Sequence, residues 1–513
     1  MEVFANVGMN ASTLSLNSNV NESVATSNSA TNTTRLTSAN AATVLQSPTD
    51  GTISGSGVSA DQVLVSDQTA AGESGAVATA ATTVFNNDLT DETGLAVTNS
   101  TVSMNGNKTT AQAISNSATN SVTLDVDNLD ATGALANYQT STQPTFASTT
   151  TSVRLSQQNS GAVSLLSGST ASADGNSAMA RATGNSSTNT VTLAGTNVDA
   201  GTVNTNVNLT TSGTLFADAA FLLLNDTSNA GAVTANSTSN VYQIDLLSSG
   251  GTVLDSTASL SSNSVQAQAT GNSASNIMNI GQDGTMTSIS SNAGVVNSQS
   301  NTASIEANAS ATVQATIDTL ASSGTYAVSG TSISLNDNST VALARGNVST
   351  NLLNVTSTGA DGGNGTGTVT AASQTVQATY GALNAQTNNG AVTGEVSGAS
   401  YQTLLNQGST YAGGGAASGA NISVTGNTIQ AYGYGNISTN GVTLSAMSGG
   451  GNDATIAAGN IQTNTGAIGA IVTGSNIGTT SLGQVTGSNL SVGGNSLSAT
   501  AVGNFAVTNV IRN

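Results

Sequence analysis

The segment VQAQATGNSASNIMNI, residues 265–280, decides the fold. Small apolar and polar residues alternate through VQAQAT, a Gly-Asn pair interrupts the alternation, and a second Asn follows at position 276. Alternation with a period of two predicts a β-strand that buries one face. The inward positions Val265, Ala267 and Ala269 are small, which predicts a narrow interior in which neighbouring backbones approach closely.

This pattern occurs seven times, and each copy closes with an Asn. The closing residues are Asn32, Asn120, Asn189, Asn276, Asn351, Asn440 and, in a looser copy, Asn509. Their spacings are 88, 69, 87, 75, 89 and 69 residues, so that pairs of intervals repeat every 157, 162 and 158 residues. The periodicity predicts three repeat units, at 33–189, 190–351 and 352–509, with an N-terminal strand segment at 1–32 and a C-terminal end at 510–513.

The chain is predicted to be all-β, because helical patterns are nearly absent and Asn-Gly, Asp-Asn and Gly-Asn junctions mark tight turns. We expect a β-solenoid (β-helix) of many short coils, each burying the apolar face of the next. Coils of roughly 22–23 residues would fit the intervals, giving about 23 coils and a rod about 110 Å long. The closing Asn residues at 32, 120, 189, 276, 351 and 440 are then expected to stack in a ladder.

An antiparallel architecture is the alternative. The segment SLNDNSTV, 334–341, also reads as a hairpin with a two-residue turn, and would give tandem antiparallel β-sandwich domains of about 160 residues. Disorder is disfavoured because charged residues and Pro are scarce and β-branched residues are abundant.

Composition excludes several function classes. The chain has no Cys, His or Trp, and six Lys and Arg against 25 Asp and Glu give a net charge of −19. Without Cys and His there is no Ser-His-Asp triad, no Cys nucleophile and no Cys/His zinc site, so we expect no enzyme. The acidity argues against nucleic acid. No apolar run reaches 18 residues, so no transmembrane segment is expected, and MEVFANVGMN at the N-terminus lacks the regions of a signal peptide.

Three acidic or Gly-rich segments are candidate sites. Asp125, Asp127 and Asp130 could bind Ca²⁺, the one cofactor considered, although a solvated acidic edge is the simpler interpretation. The segment 362–370 resembles the calcium-binding nonapeptide but has Gly where that motif has Asp. Asp88, Asp91 and Glu92 could do glycoside chemistry, but a charged loop is favoured because aromatic residues are few. The apolar run FLLL, 221–224, is predicted to be core, with a subunit contact as the alternative.

The copies of A-x-A-x-G-N-x-[SA]-[ST]-N at 111–120, 180–189, 267–276, 342–351 and 499–509 resemble repeat-rich adhesive proteins that bacteria export. They are most similar to the holdfast anchor proteins of stalked alphaproteobacteria, with a fainter likeness to the curlins of functional amyloid. The resemblance implies a fibre or anchor at the cell surface, outside the cell, with surface polysaccharide or an outer-membrane anchor as partner. The long and uneven period departs from that of curlins and argues against one coil per repeat.

The function predicted from these observations is a structural subunit of an extracellular filament or surface adhesin. We expect a homopolymer that grows head to tail, because an open solenoid ends in unpaired strand edges that another chain can extend. The residues predicted to form the junction are Val3, Phe4, Phe505, Val507, Val510 and Ile511. The alternative function is a solenoid that binds or cleaves carbohydrate, as phage tailspikes do.

Overall fold

The fold is described from a computed structural model of the chain. It describes residues 2–5, 10–37, 44–46, 51–53, 58–73, 75–91, 97–159, 165–198, 205–209, 215–248, 252–282, 286–319, 327–357, 367–372, 374–406, 416–446, 454–482 and 484–513. Every element in these ranges is a β-strand, and the strands wind into six successive coils with part of a seventh.

The first coils are built as follows. Strand β1 (Glu2–Ala5) precedes coil 1. Coil 1 contains β2 (Thr13–Ser15), β3 (Val20–Thr37), β4 (Val44–Gln46), β5 (Gly51–Ile53), β6 (Val58–Ala60), β7 (Gln62–Ala70), β8 (Ala76–Asp91) and β9 (Val97–Thr98). Coil 2 contains β10 (Thr101–Ser103), β11 (Lys108–Asp125), β12 (Asn128–Asp130), β13 (Gly133–Ser141), β14 (Thr145–Asn159) and β15 (Leu165–Ser167).

The middle coils repeat this order. Coil 3 contains β16 (Thr170–Ser172), β17 (Ser177–Ala194), β18 (Asn197–Val198), β19 (Thr205–Leu209), β20 (Leu215–Ala219), β21 (Phe221–Asn229), β22 (Val233–Ser248) and β23 (Thr252–Leu254). Coil 4 contains β24 (Thr257–Ser259), β25 (Ser264–Ile280), β26 (Ser288–Ile289), β27 (Ala293–Asn301), β28 (Ile305–Thr319) and β29 (Ala327–Ser329).

The last coils complete the stack. Coil 5 contains β30 (Ser332–Asn336), β31 (Ser339–Ser357), β32 (Gly367–Ala371), β33 (Gln374–Ala378), β34 (Tyr380–Asn388), β35 (Val392–Ser397), β36 (Ser400–Asn406) and β37 (Ala416–Ser418). Coil 6 contains β38 (Asn421–Thr425), β39 (Thr428–Ala446), β40 (Ile456–Asn464), β41 (Ile468–Thr473), β42 (Asn476–Leu482) and β43 (Gln484–Thr486). Coil 7 contains β44 (Asn489–Gly493) and β45 (Ser496–Arg512).

Equivalent strands of successive coils pair in parallel and form continuous sheets. The long sheet is β3-β11-β17-β25-β31-β39-β45. The chain then returns through the first return sheet, β7-β13-β21-β27-β34-β40, and the second return sheet, in which β1-β8-β14-β22-β28 continues through β35 and β36 to β41 and β42. Three corner sheets of short strands close the cross-section: β2-β10-β16-β24-β30-β38-β44, β4-β12-β18-β26 and β9-β15-β23-β29-β37-β43.

The predicted all-β solenoid is confirmed, and the predicted coil length is wrong. Asn120 pairs with Asn189, and Asn189 with Asn276, so each sequence repeat is one whole coil of 68 to 89 residues. Seven strands in the long sheet span about 30 Å along the axis, and not 110 Å. Period-two alternation identified the strands but carried no information on how many of them one turn contains.

The sandwich alternative is also wrong. The segment 334–341 joins β30 to β31, which lie in different sheets, and Asp337 between them has a φ of 58°. This position turns a corner of the coil. The residues at this corner in all seven coils have positive φ: Ser18, Gly106, Gly175, Ser262, Asp337, Gly426 and Gly494. Gly, Asp and Ser recur there because the left-handed region excludes most other side chains.

The long strands bend inward at their midpoint and divide the interior in two. Their first halves pack against the second return sheet around a core that includes Ala180, Ala267 and Val153. Their second halves pack against the first return sheet around Leu124, Phe221 and other larger side chains. We call the narrow zone between the two cores the waist.

A separate antiparallel sheet explains why long and short coils alternate. Coils 1, 3 and 5 each insert a hairpin before the first return strand, and the three hairpins pair as β5-β6-β19-β20-β32-β33. These six strands cover the outer face of the six-stranded first return sheet, so each two-stranded hairpin spans one long and one short coil. Each predicted unit of about 160 residues therefore corresponds to two coils.

The hairpin sheet also decides the role of the FLLL segment. Phe221 and Leu223 face the inner core, whereas Leu222 and Leu224 pack against Ala217 and other hairpin residues in a third core. All four side chains are 0% exposed, so the segment is core, as predicted, because β21 is covered on both faces.

The Gly of each Gly-Asn pair lies where the long strand enters the waist. A Cβ built on Gly346 would overlap the carbonyl oxygen of Gly435 and approach Asn388 Oδ1 to 2.7 Å. Gly184, Gly271 and Gly435 are in equivalent surroundings. These glycines are needed for the close approach of backbone to backbone, and not for a special φ.

We predict that Gly346→Ala lowers the free energy of unfolding by about 1–3 kcal/mol, because the backbone around the new methyl group must move. Gly478→Ala is the matched control, since its Cβ would meet only one atom within 4 Å, at 3.9 Å. The control should change stability by less than about 0.5 kcal/mol. Equal melting temperatures for the two variants would contradict the tight waist.

Candidate functional site

Amide ladders join the coils at the waist. The Asn that follows each bend forms the waist ladder, Asn28, Asn116, Asn185, Asn272, Asn347, Asn436 and Asn504. In the first six of these residues Nδ2 donates to the Oδ1 of the next coil at 2.7–2.8 Å. In coils 1 to 6 the other N–H of the same amide crosses the waist to a backbone carbonyl of the first return sheet, at 2.8–3.0 Å. Each of these Asn side chains in coils 1 to 6 thus links its own coil to the next coil, and the long sheet to the first return sheet opposite.

The predicted ladder of closing Asn residues is present with one broken link. Asn32, Asn120 and Asn189 each donate to the next residue at 2.8 Å, and Asn351 donates to Asn440 at 2.9 Å. The Nδ2 of Asn276 instead donates to Asn297 Oδ1 at 3.1 Å. Consequently the buried Oδ1 of Asn351 has no hydrogen-bond partner among the described residues. In coil 7 the register places Thr508 at this position, because the looser copy contains one extra residue.

Further Asn ladders were not predicted. One follows the corner with positive φ, through Asn19, Asn107, Asn176, Asn263, Asn338, Asn427 and Asn495. Two lie in the first return sheet, through Asn137, Asn225, Asn297, Asn384 and Asn460, and through Asn229, Asn301, Asn388 and Asn464. The sequence carries a signal for the last of these ladders, because an Asn-x-Gly motif recurs at Asn229, Asn388 and Asn464.

These Asn ladders have a direction. In the waist, corner and return ladders every amide donates toward the C-terminal coil. The Oδ1 atoms of Asn19 and Asn28 in coil 1 therefore receive no amide from a preceding coil in the described structure. A parallel row of Gln side chains, with Gln386 donating to Gln299, runs the opposite way. The two ends of the solenoid are consequently different chemical surfaces.

The C-terminal coil leaves the apolar interior open. Leu490, Val492, Leu497 and Val510 occupy inward positions, above Ile422, Val424, Ile429 and Val442 of coil 6. The coil 6 residues are 0–1% exposed, whereas those of coil 7 are 38–50% exposed. No described residue covers the free edges of β44 and β45, which each pair on one side only.

The N-terminal coil is open in the same way. Leu14, Leu16 and Leu36 point inward and are only partly buried against the cores. Among the described residues, strands β2 and β3 pair on one side only. Leu14 and Leu490 are the two ends of one column of inward residues that runs through Val102, Ala171, Ala258, Ile333 and Ile422. The two open ends therefore present the same pattern of inward side chains.

The residues predicted to form a subunit junction occupy three different environments. Val3 and Phe4 lie on β1, which pairs with β8 at the edge of the second return sheet, and their side chains lie outside the described part. Val510 faces the interior, while Val507 and Ile511 take outward positions, with exposures of 40–48% for the three. Phe505 lies on the lateral surface beside Ile437. The junction stays a prediction, and Phe505 is better placed to face outward than to face an end.

The acidic candidates do not form a metal centre in the described residues. Asp125 ends β11, Asp130 ends β12, and Asp127 lies in the turn between them, where its backbone oxygen accepts from Asn197 at 2.8 Å. No group of three His, Cys, Asp or Glu side chains close enough to hold a metal is found in that part of the chain. Asp88 and Asp91 lie on β8, and their side chains, together with Glu92 and most of the Gly-rich segment 362–370, lie outside the described residues.

Three tyrosines are buried in the interior of the solenoid. Burial raises the pKa of Tyr242, Tyr380 and Tyr401 well above the usual range. The Tyr401 hydroxyl forms a hydrogen bond of 2.6 Å with Thr340 Oγ1. The described segments contain no helix able to span a membrane.

We predict that Asn276→Leu lowers the free energy of unfolding by about 1–3 kcal/mol, because it leaves the buried amide of Asn189 and the Oδ1 of Asn297 without this partner. Asn279→Leu, on the outer face of the same strand, is the matched control and should be nearly neutral. Asn351→Leu and Asn440→Leu should lower stability in the same way, and unchanged melting temperatures in all three variants would exclude a stabilising ladder.

Comparison with known proteins found no match: no family model, no curated protein and no solved structure is similar to this chain.

Proposed function

We propose that this protein is a non-enzymatic structural subunit that polymerises head to tail into an extracellular filament or surface adhesin. The observation that carries the proposal is the match between the edges of the first and last coils among the described residues. The inward columns finish in half-exposed apolar residues at coil 7, and the same columns begin with Leu14, Leu16 and Leu36 at coil 1. A second copy placed in register would bury both sets.

Backbone pairing supports the same arrangement. Strands β3 and β45 are the two edge strands of one parallel sheet. The β45 edge of one copy can therefore pair with the β3 edge of a second copy in the way that β39 pairs with β45. Strand addition of this kind satisfies unpaired N–H and C=O groups along the whole edge. The contact joins two different surfaces, which yields an open filament and not a closed dimer.

Ladder direction supports head-to-tail over head-to-head contact. At the C-terminal end the Asn504 amide donates only a long bond of 3.3 Å to Gln462 O. At the N-terminal end the Oδ1 of Asn28 is an acceptor that no preceding coil uses. A head-to-tail junction continues the waist ladder through these two atoms, whereas contact between two like ends would oppose donor to donor or acceptor to acceptor.

The proposal predicts complementary defects in two variants. Leu14→Lys and Leu490→Lys each place a charge in the inward column at one end, where burial against a second copy would cost several kcal/mol. Each variant alone should stay monomeric, measured by light scattering and electron microscopy. Mixing them should give dimers only, because the mixture contains one intact pair of ends.

Gln268→Lys on the outer face of coil 4 is the control and should form filaments like the unmodified protein. Dimers in the mixture also show that both variants are folded. Filaments from either end variant alone would place the junction elsewhere, and failure of the mixture to dimerise would exclude head-to-tail contact through this column.

A further inference from the structure

The outer surface of the long sheet carries a groove at the waist, where each long strand bends inward. The two residues that flank the bend are Thr183 and Ser186 in coil 3, Thr270 and Ser273 in coil 4, Arg345 and Val348 in coil 5, Tyr434 and Ile437 in coil 6, and Val502 and Phe505 in coil 7. The long strand bends at the same position in every coil, and in coils 3 and 4 small polar residues are sufficient at the two flanking positions. The bend therefore does not require the larger residues of coils 5 to 7; Ile114 of coil 2 also occupies one of these positions.

These larger residues line a cavity of about 530 Å³ that is open to solvent. This volume lies within the range of small-ligand sites, about 300–1,000 Å³. Tyr432 and Tyr434 supply two nearly parallel rings, with centroids 6.2 Å apart and planes 11° from parallel. Leu343, Ile437 and Phe505 complete the apolar lining, and the Phe505 side chain is 52% exposed.

One cation faces this aromatic surface. Arg345 lines the groove next to Tyr434, and its Nε atom is buried without a hydrogen-bond partner in the part of the chain that the structure describes. Burial lowers the pKa of Arg345 from its ordinary value, and the nearby charge of Arg181 lowers it further. A desolvated arginine with a second arginine near enough to lower its pKa is locally suited to an anionic group.

The groove also limits the kind of anion. Net charge of −19 disfavours a densely charged polyanion such as nucleic acid, since most of its phosphates would face repulsion. A ligand built of rings that each have an apolar face and carry isolated carboxylates can contact both the tyrosine rings and Arg345. The rings can stack on tyrosine, as apolar surfaces do on aromatic faces, while one carboxylate accepts from the guanidinium of Arg345.

We propose that this groove binds an acidic oligosaccharide, with sugar rings on Tyr432 and Tyr434 and a uronate carboxylate on Arg345. The groove lies on the lateral surface, so a filament would display one such site per subunit. The inference deepens the proposed surface function by naming its partner, and it does not require assembly for binding.

The test uses trigalacturonic acid and its methyl ester, which keeps the rings and removes the charges. Calorimetry is done on the full chain carrying Leu14→Lys, so that polymerisation and binding are measured separately. We expect the acid to bind and the ester to bind at least about tenfold more weakly. Arg345→Gln should weaken binding of the acid about tenfold and leave the ester unaffected, while Tyr434→Ala should weaken both about five- to tenfold.

Arg154→Gln, an exposed arginine on the second return sheet, is the matched control and should bind like the parent protein. Tyr432→Ala and Phe505→Ala provide further variants should Arg345→Gln fail to fold. The proposal is overturned if the acid does not bind the parent, if acid and ester bind equally, or if the groove variants change nothing. It is also overturned if Phe505→Ala abolishes side-by-side association of filaments, because the groove would then hold a second copy. If the protein binds the acid but the unmodified chain forms no filaments, the assembly proposal fails. If it forms filaments but does not bind the acid, the binding proposal fails.

Discussion

Hydrogen bonding between asparagine side chains of successive coils is the constraint on which this structure depends. The waist brings two walls of the solenoid so close that the bend carries glycine in coils 3 to 7 and serine, Ser27 and Ser115, in coils 1 and 2, and a buried polar backbone there needs partners. Asn supplies two N–H donors and one oxygen acceptor, which is the number needed to reach the coil above, the coil below and the opposite wall. The same residue at the same position in every coil follows from this geometry, and so does the Gly-Asn signature of the repeat.

The ladder divides the interior into two narrow apolar cores rather than one wide one. Each core has walls that are near enough for Ala and Val to fill, as with Ala180 and Ala267, which are 0% exposed. Larger side chains are also buried, both in these two cores, as at Tyr242 and Tyr380, and beneath the hairpin sheet, as at Leu222. This arrangement accounts for a chain that is 37% hydrophobic and yet only 3% aromatic.

Sequence reasoning succeeded where one repeat contains the whole signal. The strands around Asn276, the ladder of closing Asn residues and the core position of FLLL all follow from local pattern. Coil length could not be predicted from local pattern, because strands of 5 and of 18 residues show the same period-two alternation. The corner at Asp337 was ambiguous, since a positive φ serves a hairpin and a solenoid corner equally well. The groove could not be predicted, because Arg345, Tyr434 and Val502 become neighbours only through pairing across 89 and 68 residues.

The hairpin sheet has a consequence for how this protein can change in length. Each hairpin belongs to a long coil and packs on the return strand of an adjacent short coil, as β20 packs on β27 of coil 4. A gene that lost one coil would leave either a hairpin with nothing to cover or a return strand whose outward apolar residues, such as Val296, face water. Loss or gain of two adjacent coils together keeps the hairpin sheet and the first return sheet equal in number of strands. Related chains of different length should therefore differ by multiples of about 160 residues, which makes the coil pair, and not the coil, the unit of inheritance.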